Sequence, residues 1–372
     1  MTQSNRIAWV APYPAHYWRR LHRLMEEGSP GRVRFFYVEL PDGESRQKFE
    51  TGELPANSTV FKRGEIGRAL RALKAFDPAI VVTAAHYPRL LAVAAIWGRI
   101  TGRKVCYLSD TNYFDIQKRP FWWRIAKRAV FRLYLGQMWG FLPMGSANEA
   151  FYDWCCGPGW RRKFRARVPY PHDPELFQAA CGNGNPRRLD KRVTCLYLGR
   201  LVPEKGVENL LEALALLSSA LLPELRVVIG GDGPCKSSLM EYVHTRGLGD
   251  TVEFLGPIPS DMAVELFHKC DILVLTSYSE PWGLVVNEAL SSCRPVLAPA
   301  GVGAVIDLVR DGINGFVLND NDPLTIASGL GRVLEYRGRL REMGKRGRES
   351  VSSGAWSLQG ALEGWAKLAG QA

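Results

Sequence analysis

Two cations and two carboxylates in the second half of the chain have the types and spacing to hold a charged, hydroxyl-rich ligand. The run Gly199-Arg200-Leu201-Val202-Pro203-Glu204-Lys205-Gly206 sets Arg200 and Lys205 five residues apart just before a predicted helix. An arginine offers a planar fork of donors and a lysine a mobile point charge, a pairing suited to a diphosphate whose charge must be held as it leaves. An exposed loop with two solvated cations fits the same spacing. Glu280 and Glu288 are separated by seven residues in Glu280-Pro281-Trp282-Gly283-Leu284-Val285-Val286-Asn287-Glu288. Pro281 and Gly283 predict a turn, with a helix beginning near Leu284, so Glu280 projects from a loop and Glu288 sits about one turn inside the helix. Carboxylates accept hydrogen bonds from sugar and ribose hydroxyls, and the amides around Gly283 at a helix start suit phosphate. The alternative is a pair of solvated surface glutamates.

A third loop, Gly230-Gly231-Asp232-Gly233-Pro234, follows an apolar run and brings glycines that let backbone approach a ligand closely. All three segments lie where an open α/β sheet binds ligands, beyond the carboxyl ends of its strands.

The elements that must position them are legible as alternating apolar runs and helical patterns. Ile7–Ala11, Val33–Val38, Ala79–Thr83, Val105–Leu108 and Phe141–Met144 read as buried parallel strands, with helical spacing over Ile66–Leu73 and Leu90–Ile100 between them. The alternation restarts with Val193–Leu198, a helix from Val207, then Leu225–Ile229, Val252–Leu255, Ile272–Leu275, Pro295–Ala298 and Phe316–Leu318. This predicts two doubly wound α/β domains, residues 1–180 and 190–350, joined across the glycine-bearing stretch Ala180–Arg188. A tail helix over about 355–372, with Trp356, Leu358, Leu362, Trp365 and Leu368 at helical spacing, is expected to dock on the body.

In their order, the motifs G-R-L-x-x-E-K-G, G-G-D-G-P, F-L-G-x-I, S-E-P-W-G-L-V-V-N-E-A-L, R-P-V-L-A and D-G-I-N-G-F resemble the nucleotide-sugar-binding domain of glycosyltransferase family 4, strongly over about residues 193–330. The resemblance implies the GT-B fold, two Rossmann-like domains facing across a cleft with the last helix crossing back to the first domain. It implies retaining transfer of a sugar from a UDP-, GDP- or ADP-linked donor, without a metal or other cofactor. On it, Arg200 and Lys205 hold the diphosphate, Glu280 the transferred sugar and Glu288 the ribose. Gly231, Gly233, Ile258, Gly283, Leu284 and Val285 complete the donor site.

The chain departs from that family in two loops. Cys293 stands where the family has a glycine, and is read as packing. The loop after the first strand, Pro12-Tyr13-Pro14-Ala15-His16-Tyr17-Trp18-Arg19, has no glycine, so its aromatics, His16 and Arg19 are assigned to acceptor recognition. Where related enzymes have a histidine near the reacting sugar, this chain has Ser109-Asp110-Thr111-Asn112. Asp110 is the catalytic candidate there and Ser109 an acceptor contact, with a turn or helix-cap role as the alternative for Asp110. His86 is a further acceptor candidate or a satisfied core histidine.

Composition narrows the remaining classes. Residues 1–180 carry 28 Lys and Arg against 15 Asp and Glu, a net +13, and the remainder nets −2, giving the overall +11. The segment Arg119–Tyr134 mixes aromatics with cations, which suits either an anionic membrane surface, and hence a lipid-linked saccharide acceptor, or a helix with a buried aromatic side and a solvated basic one. A basic nucleic-acid-binding module is a remote alternative that gives the two glutamates no role, so nucleic acid is not an expected partner. A GT-B sugar-nucleotide epimerase or a non-catalytic nucleotide-sugar-binding subunit keeps the fold and changes the activity. The eight cysteines are scattered without C-x-x-C spacing and read as core filler, with no metal site and no disulfide framework. Asp320-Asn321-Asp322 reads as a turn rather than a metal motif. The absence of a long apolar run or signal-like start predicts a cytoplasmic protein.

Overall fold

The computed structural model describes residues 5–12, 16–38, 54–62, 64–84, 89–117, 119–181, 192–259, 262–352 and 354–372. The chain divides into two compact units, Met1–Pro171 with Gly354–Ala372, and His172–Ser353.

In the first unit, strands β1 (Ile7–Ala11), β2 (Val33–Val38), β3 (Ser58–Phe61), β4 (Ile80–Ala84), β5 (Lys104–Ser109), β6 (Gly140–Pro143) and β7 (Phe164–Arg165) form one sheet in the order β3-β2-β1-β4-β5-β6-β7. Every described pairing in it is parallel. Helices α1 (Arg19–Glu27), α2 (Ile66–Phe76), α3 (Arg89–Ile100), α4 (Phe114–Gln117), α5 (Phe121–Gly136) and α6 (Ser146–Cys156) connect and cover the strands. Ile7 through Ala11 are all buried, as expected of a strand covered on both faces. β3 and β7 escape the sequence reading because they are edge strands. In β3 only Phe61 is buried, and β7 has two residues. The C-terminal helix, Leu358–Ala369, closes this unit. It lies against the Arg167 carbonyl so tightly that a Cβ at Gly364 would overlap it, and Trp365 meets Trp9 edge-on at 6.5 Å.

The second unit repeats the plan with β8 (Val193–Leu198), β9 (Leu225–Gly230), β10 (Val252–Gly256), β11 (Ile272–Val274), β12 (Val296–Pro299) and β13 (Gly315–Leu318), ordered β10-β9-β8-β11-β12-β13 and paired in parallel. Its helices are α7 (Val207–Leu216), α8 (Lys236–Thr245), α9 (Ala263–Lys269), α10 (Leu284–Ser291), α11 (Gly303–Leu308), α12 (Pro323–Glu335) and α13 (Leu340–Ser352). Strand order reverses between β8 and β11, the switch point at which such sheets bind ligands. Asp322 caps α12, accepting from the Leu324 and Thr325 amides at 3.0 Å each, which gives the Asp320-Asn321-Asp322 run a turn-and-cap role.

The unit boundary at Pro171–His172 precedes the expected linker, of which residues 182–188 lie outside the described residues. Residues 172–181 are tied into the second unit instead. The His172 ring lies 2.7 Å from Ser291 Oγ at the end of α10, and Cys181 is disulfide-bonded to Cys293 with Cα atoms 5.1 Å apart. The reading of Cys293 as packing is therefore corrected to a cross-link. Its φ of +56° is the left-handed conformation that favours glycine. The other six cysteines are free.

Candidate active site

The loops after β8 and β9 are interlocked by main-chain bonds, Gly199 N to Gly230 O at 3.0 Å and Leu201 N to Asp232 O at 2.9 Å. Gly231 (φ +149°) and Gly233 (φ +157°) make this possible, because a Cβ on either would collide with the Gly199 or Leu201 carbonyl. Their first duty is thus to let two loops nest. Ile258 packs beside them, where a Cβ on Gly230 would meet its Cγ1 at 2.8 Å.

The β8 loop is stitched in turn to the β11 loop. The Thr276 hydroxyl donates to the Lys205 carbonyl at 3.1 Å, the Tyr278 amide donates to the Glu204 carbonyl at 3.1 Å, and Gly206 leaves room for the Thr276 carbonyl. These contacts bring Lys205 Nζ onto Glu280 Oε1 as an ion pair, while the Ser277 hydroxyl donates to Glu280 Oε2 at 3.1 Å. The Gly303 amide donates to the Glu280 carbonyl at 3.1 Å, which joins the β12 loop to the site. Lys205 and Glu280 are both half-buried, a setting in which their charges are screened less than at an open surface.

Gly283, at φ +94°, turns the chain into α10, and the first amides of that helix, Leu284 and Val285, have no intrahelical partner by construction. Glu288 sits just over one turn further on, half-buried, and desolvation pushes its carboxyl up to about 7. Among the described residues no cation offsets that shift. Arg200 is exposed, and its side chain forms no ion pair with a described residue. Trp282, a potential sugar-reading side chain by its place in the loop, is instead buried, with Nε1 donating to Asn287 Oδ1 at 2.8 Å.

The first unit holds a cavity of about 100 Å³ at the carboxyl ends of β1, β4 and β5, lined by Trp9, Tyr17, Trp18, Ser109, Asp110 and Tyr170 among others. The Tyr170 hydroxyl donates to Asp110 Oδ2 at 2.7 Å. Ser109 Oγ lies 2.8 Å from Thr111 Oγ1 and accepts from the Thr111 amide at 3.1 Å, a local turn that presents Asp110. Ser109 is therefore buried and engaged in its own turn. Arg19 begins α1, half-buried. The His16 side chain and His86 lie outside the described residues.

Sequence reasoning missed His22, Trp9 and Tyr170 in this cavity. His22 is buried against the Tyr37 hydroxyl, 2.9 Å from Nδ1, and burial lowers its pKa to about 3, so the ring is neutral. The only signal for it was its place, three residues past Arg19 on the inner side of α1.

Two doubly wound parallel units with a charged and glycine-shaped switch point in the second are the GT-B architecture of glycosyltransferases. Residues 185–350 match the family model Glycosyl transferases group 1. Over 178 residues the chain is 36% identical to a D-inositol 3-phosphate glycosyltransferase of Nocardia farcinica, an alignment that covers 45% of this chain and 39% of that protein. The match thus spans about two-fifths of that relative's length. The structure of Anabaena Alr3699/HepE in complex with UDP superposes with a TM-score of 0.76 at 18% identity, covering 99% of this chain and 100% of that one. The same protein in complex with UDP-glucose gives 0.72 at 18% identity, covering 98% and 99%. Together these relationships give the chain the GT-B fold and give residues 185–350 a likeness to the glycosyl transferases group 1 family.

Proposed function

We propose that the protein transfers a glycosyl group from a nucleoside-diphosphate sugar, UDP-linked in the first instance, to a saccharide or lipid-linked saccharide acceptor. The observation that carries this reading is the Lys205–Glu280 pair held at the β8/β11 switch point, with Glu288 one helix turn beyond the α10 amides. The UDP complexes of the Anabaena protein support the choice of base.

In this reading Lys205 exchanges Glu280 for the donor diphosphate and Glu280 turns to the sugar hydroxyls. Arg200, exposed to solvent, folds onto the same phosphates, and the Leu284 and Val285 amides add main-chain donors. Glu288 takes the ribose. The aromatic cavity around Asp110 takes the acceptor, because ring faces stack on sugars and the carboxylate accepts from a hydroxyl. Retention follows from displacement on one face: the acceptor oxygen bonds the anomeric carbon as the carbon–phosphate-oxygen bond breaks. The acceptor proton passes to the departing phosphate oxygen, and no metal is invoked. The residues then act by positioning and by stabilising charge on the leaving group.

The test is nucleotide release from UDP-, GDP- and ADP-sugars with and without saccharide acceptors, in EDTA. Acceptor-dependent release of one nucleotide is expected, lost in Arg200→Ala. Interconversion of the sugar without transfer would replace this reading with an epimerase, and binding without either would leave a non-catalytic subunit.

A further inference from the structure

Helix α5 has a second apolar side that faces solvent. Phe121, Ile125, Ala129 and Leu133 form one row four residues apart, Trp122, Ala126 and Val130 a second, and every one of these positions is exposed. Phe121 is 73% exposed, Trp122 70% and Leu133 72%. The opposite side carries Phe131 and Leu135 into the core of the first unit. Arg128 and Arg132 are exposed in the row beside the apolar one, and Lys127 lies over the Trp123 ring at 4.8 Å. A globular unit rarely leaves a contiguous apolar stripe in water without a use for it.

We propose that this face docks the protein on an anionic lipid surface. Charge complementarity selects that occupant. From Ile116 to Asn148 the sequence has no Asp or Glu, and residues 1–180 net +13. Two copies meeting through this face would bring like-charged rows together, whereas an anionic bilayer takes the rings at headgroup level and the arginines on its phosphates. The neighbouring helix α3 adds exposed Ile96 and Ile100, and Arg99 donates to the Gln137 carbonyl at 2.8 Å, tying the ends of the two helices together. α5 runs back from the strand ends that hold the Asp110 cavity, so its aromatic first turn starts on the cavity's edge of the sheet. Docking there would keep that edge near the bilayer. The inference stands on α5 and does not require the donor reading.

The experiment is flotation of the full chain with vesicles of phosphatidylcholine alone, or mixed equally with phosphatidylglycerol, at low and high salt. Partition into the anionic vesicles alone, weakened by salt, is expected. Trp122→Glu with Leu133→Glu should lower it about tenfold or more, since two apolar side chains leave the bilayer and two negative charges meet it. Arg128→Gln with Arg132→Gln, on an exposed row where folding is unaffected, should remove most of the salt dependence. An unchanged unfolding midpoint in each variant separates lost docking from lost folding. No partition into anionic vesicles, partition unchanged in both variants, or a dimer in sedimentation that the Trp122 and Leu133 substitutions dissolve would overturn the proposal. Nucleotide binding, measured apart, reports on the donor site alone.

Discussion

Lys205 and Glu280, 75 residues apart in the chain, neutralise each other at the carboxyl edge of the second sheet, and the Ser277 hydroxyl holds the far oxygen of the same carboxylate. The pair fixes one cation and one anion side by side at the switch point, where the proposed donor site lies. Breaking it from either side should have different consequences. Lys205→Ala is expected to lower kcat by a factor on the order of 10²–10³, as removal of one preorganised donor does, and to weaken UDP binding about tenfold. Glu280→Gln is expected to match the loss in kcat while leaving UDP affinity within about threefold, because the amide still fills the site and UDP lacks the sugar. Titration calorimetry with UDP beside initial rates checks both. Equal UDP losses in the two variants would contradict the division of roles.

Glu288 makes stability depend on pH. Burial raises its pKa to about 7 from an ordinary 4.5, so the native state holds a proton that the unfolded state releases, and stability is lost as pH rises from 4.5 through 7. Glu288→Gln should therefore stabilise the protein at pH 8 by about 1–3 kcal/mol while weakening nucleotide binding. Denaturant melts at pH 5 and pH 8 measure this. A variant no more stable than the parent at pH 8 would remove the desolvated carboxyl.

His22 and His172 act in the opposite sense. Burial lowers them to about 3 and about 4 from 6.5, Arg348 adding to the effect at His172, so below pH 6.5 the unfolded chain takes up protons that the native one refuses. Each should cost about 1.4 kcal/mol per pH unit of acidification, an amount that Glu288 partly offsets between pH 7 and 4.5. The fall in stability from pH 6.5 to 5 should flatten in His172→Asn and steepen in Glu288→Gln. The same slope in all three proteins would exclude these groups as its source.

Cys293 serves a cross-link and a strained backbone position together. Cys293→Ala and Cys293→Gly both lose the bond to Cys181, which closes a separation of 112 residues and should contribute a few kcal/mol. Only alanine keeps a Cβ at φ +56°, so the glycine variant should be the more stable of the two by about 1 kcal/mol. Thermal unfolding of both, against the parent with and without reductant, checks the two effects separately.

Most of the architecture was legible in the residues. The apolar runs that read as strands are strands, because a parallel sheet covered on both faces demands continuous burial, and Val193 through Tyr197 meet that demand. The edge strands Ser58–Phe61 and Phe164–Arg165 were not legible, since an edge buries little and leaves no pattern. The change of unit at Pro171 was hidden because His172 and Cys181 are bound to partners more than one hundred residues away, and spacing says nothing of such pairings.

Local chemistry was likewise a property of the sequence: which residues carry charge, where glycine frees the backbone, and where a helix must begin. Tertiary structure alone decided which of those charges meet. It set Lys205 against Glu280, buried Trp282 rather than offering it to a sugar, gathered Trp9, His22 and Tyr170 around Asp110, and turned the apolar rows of α5 outward. The reason is range. Backbone preference and periodicity act over a few residues, whereas the electrostatics and burial of a site depend on what separate loops bring within a few ångströms of one another.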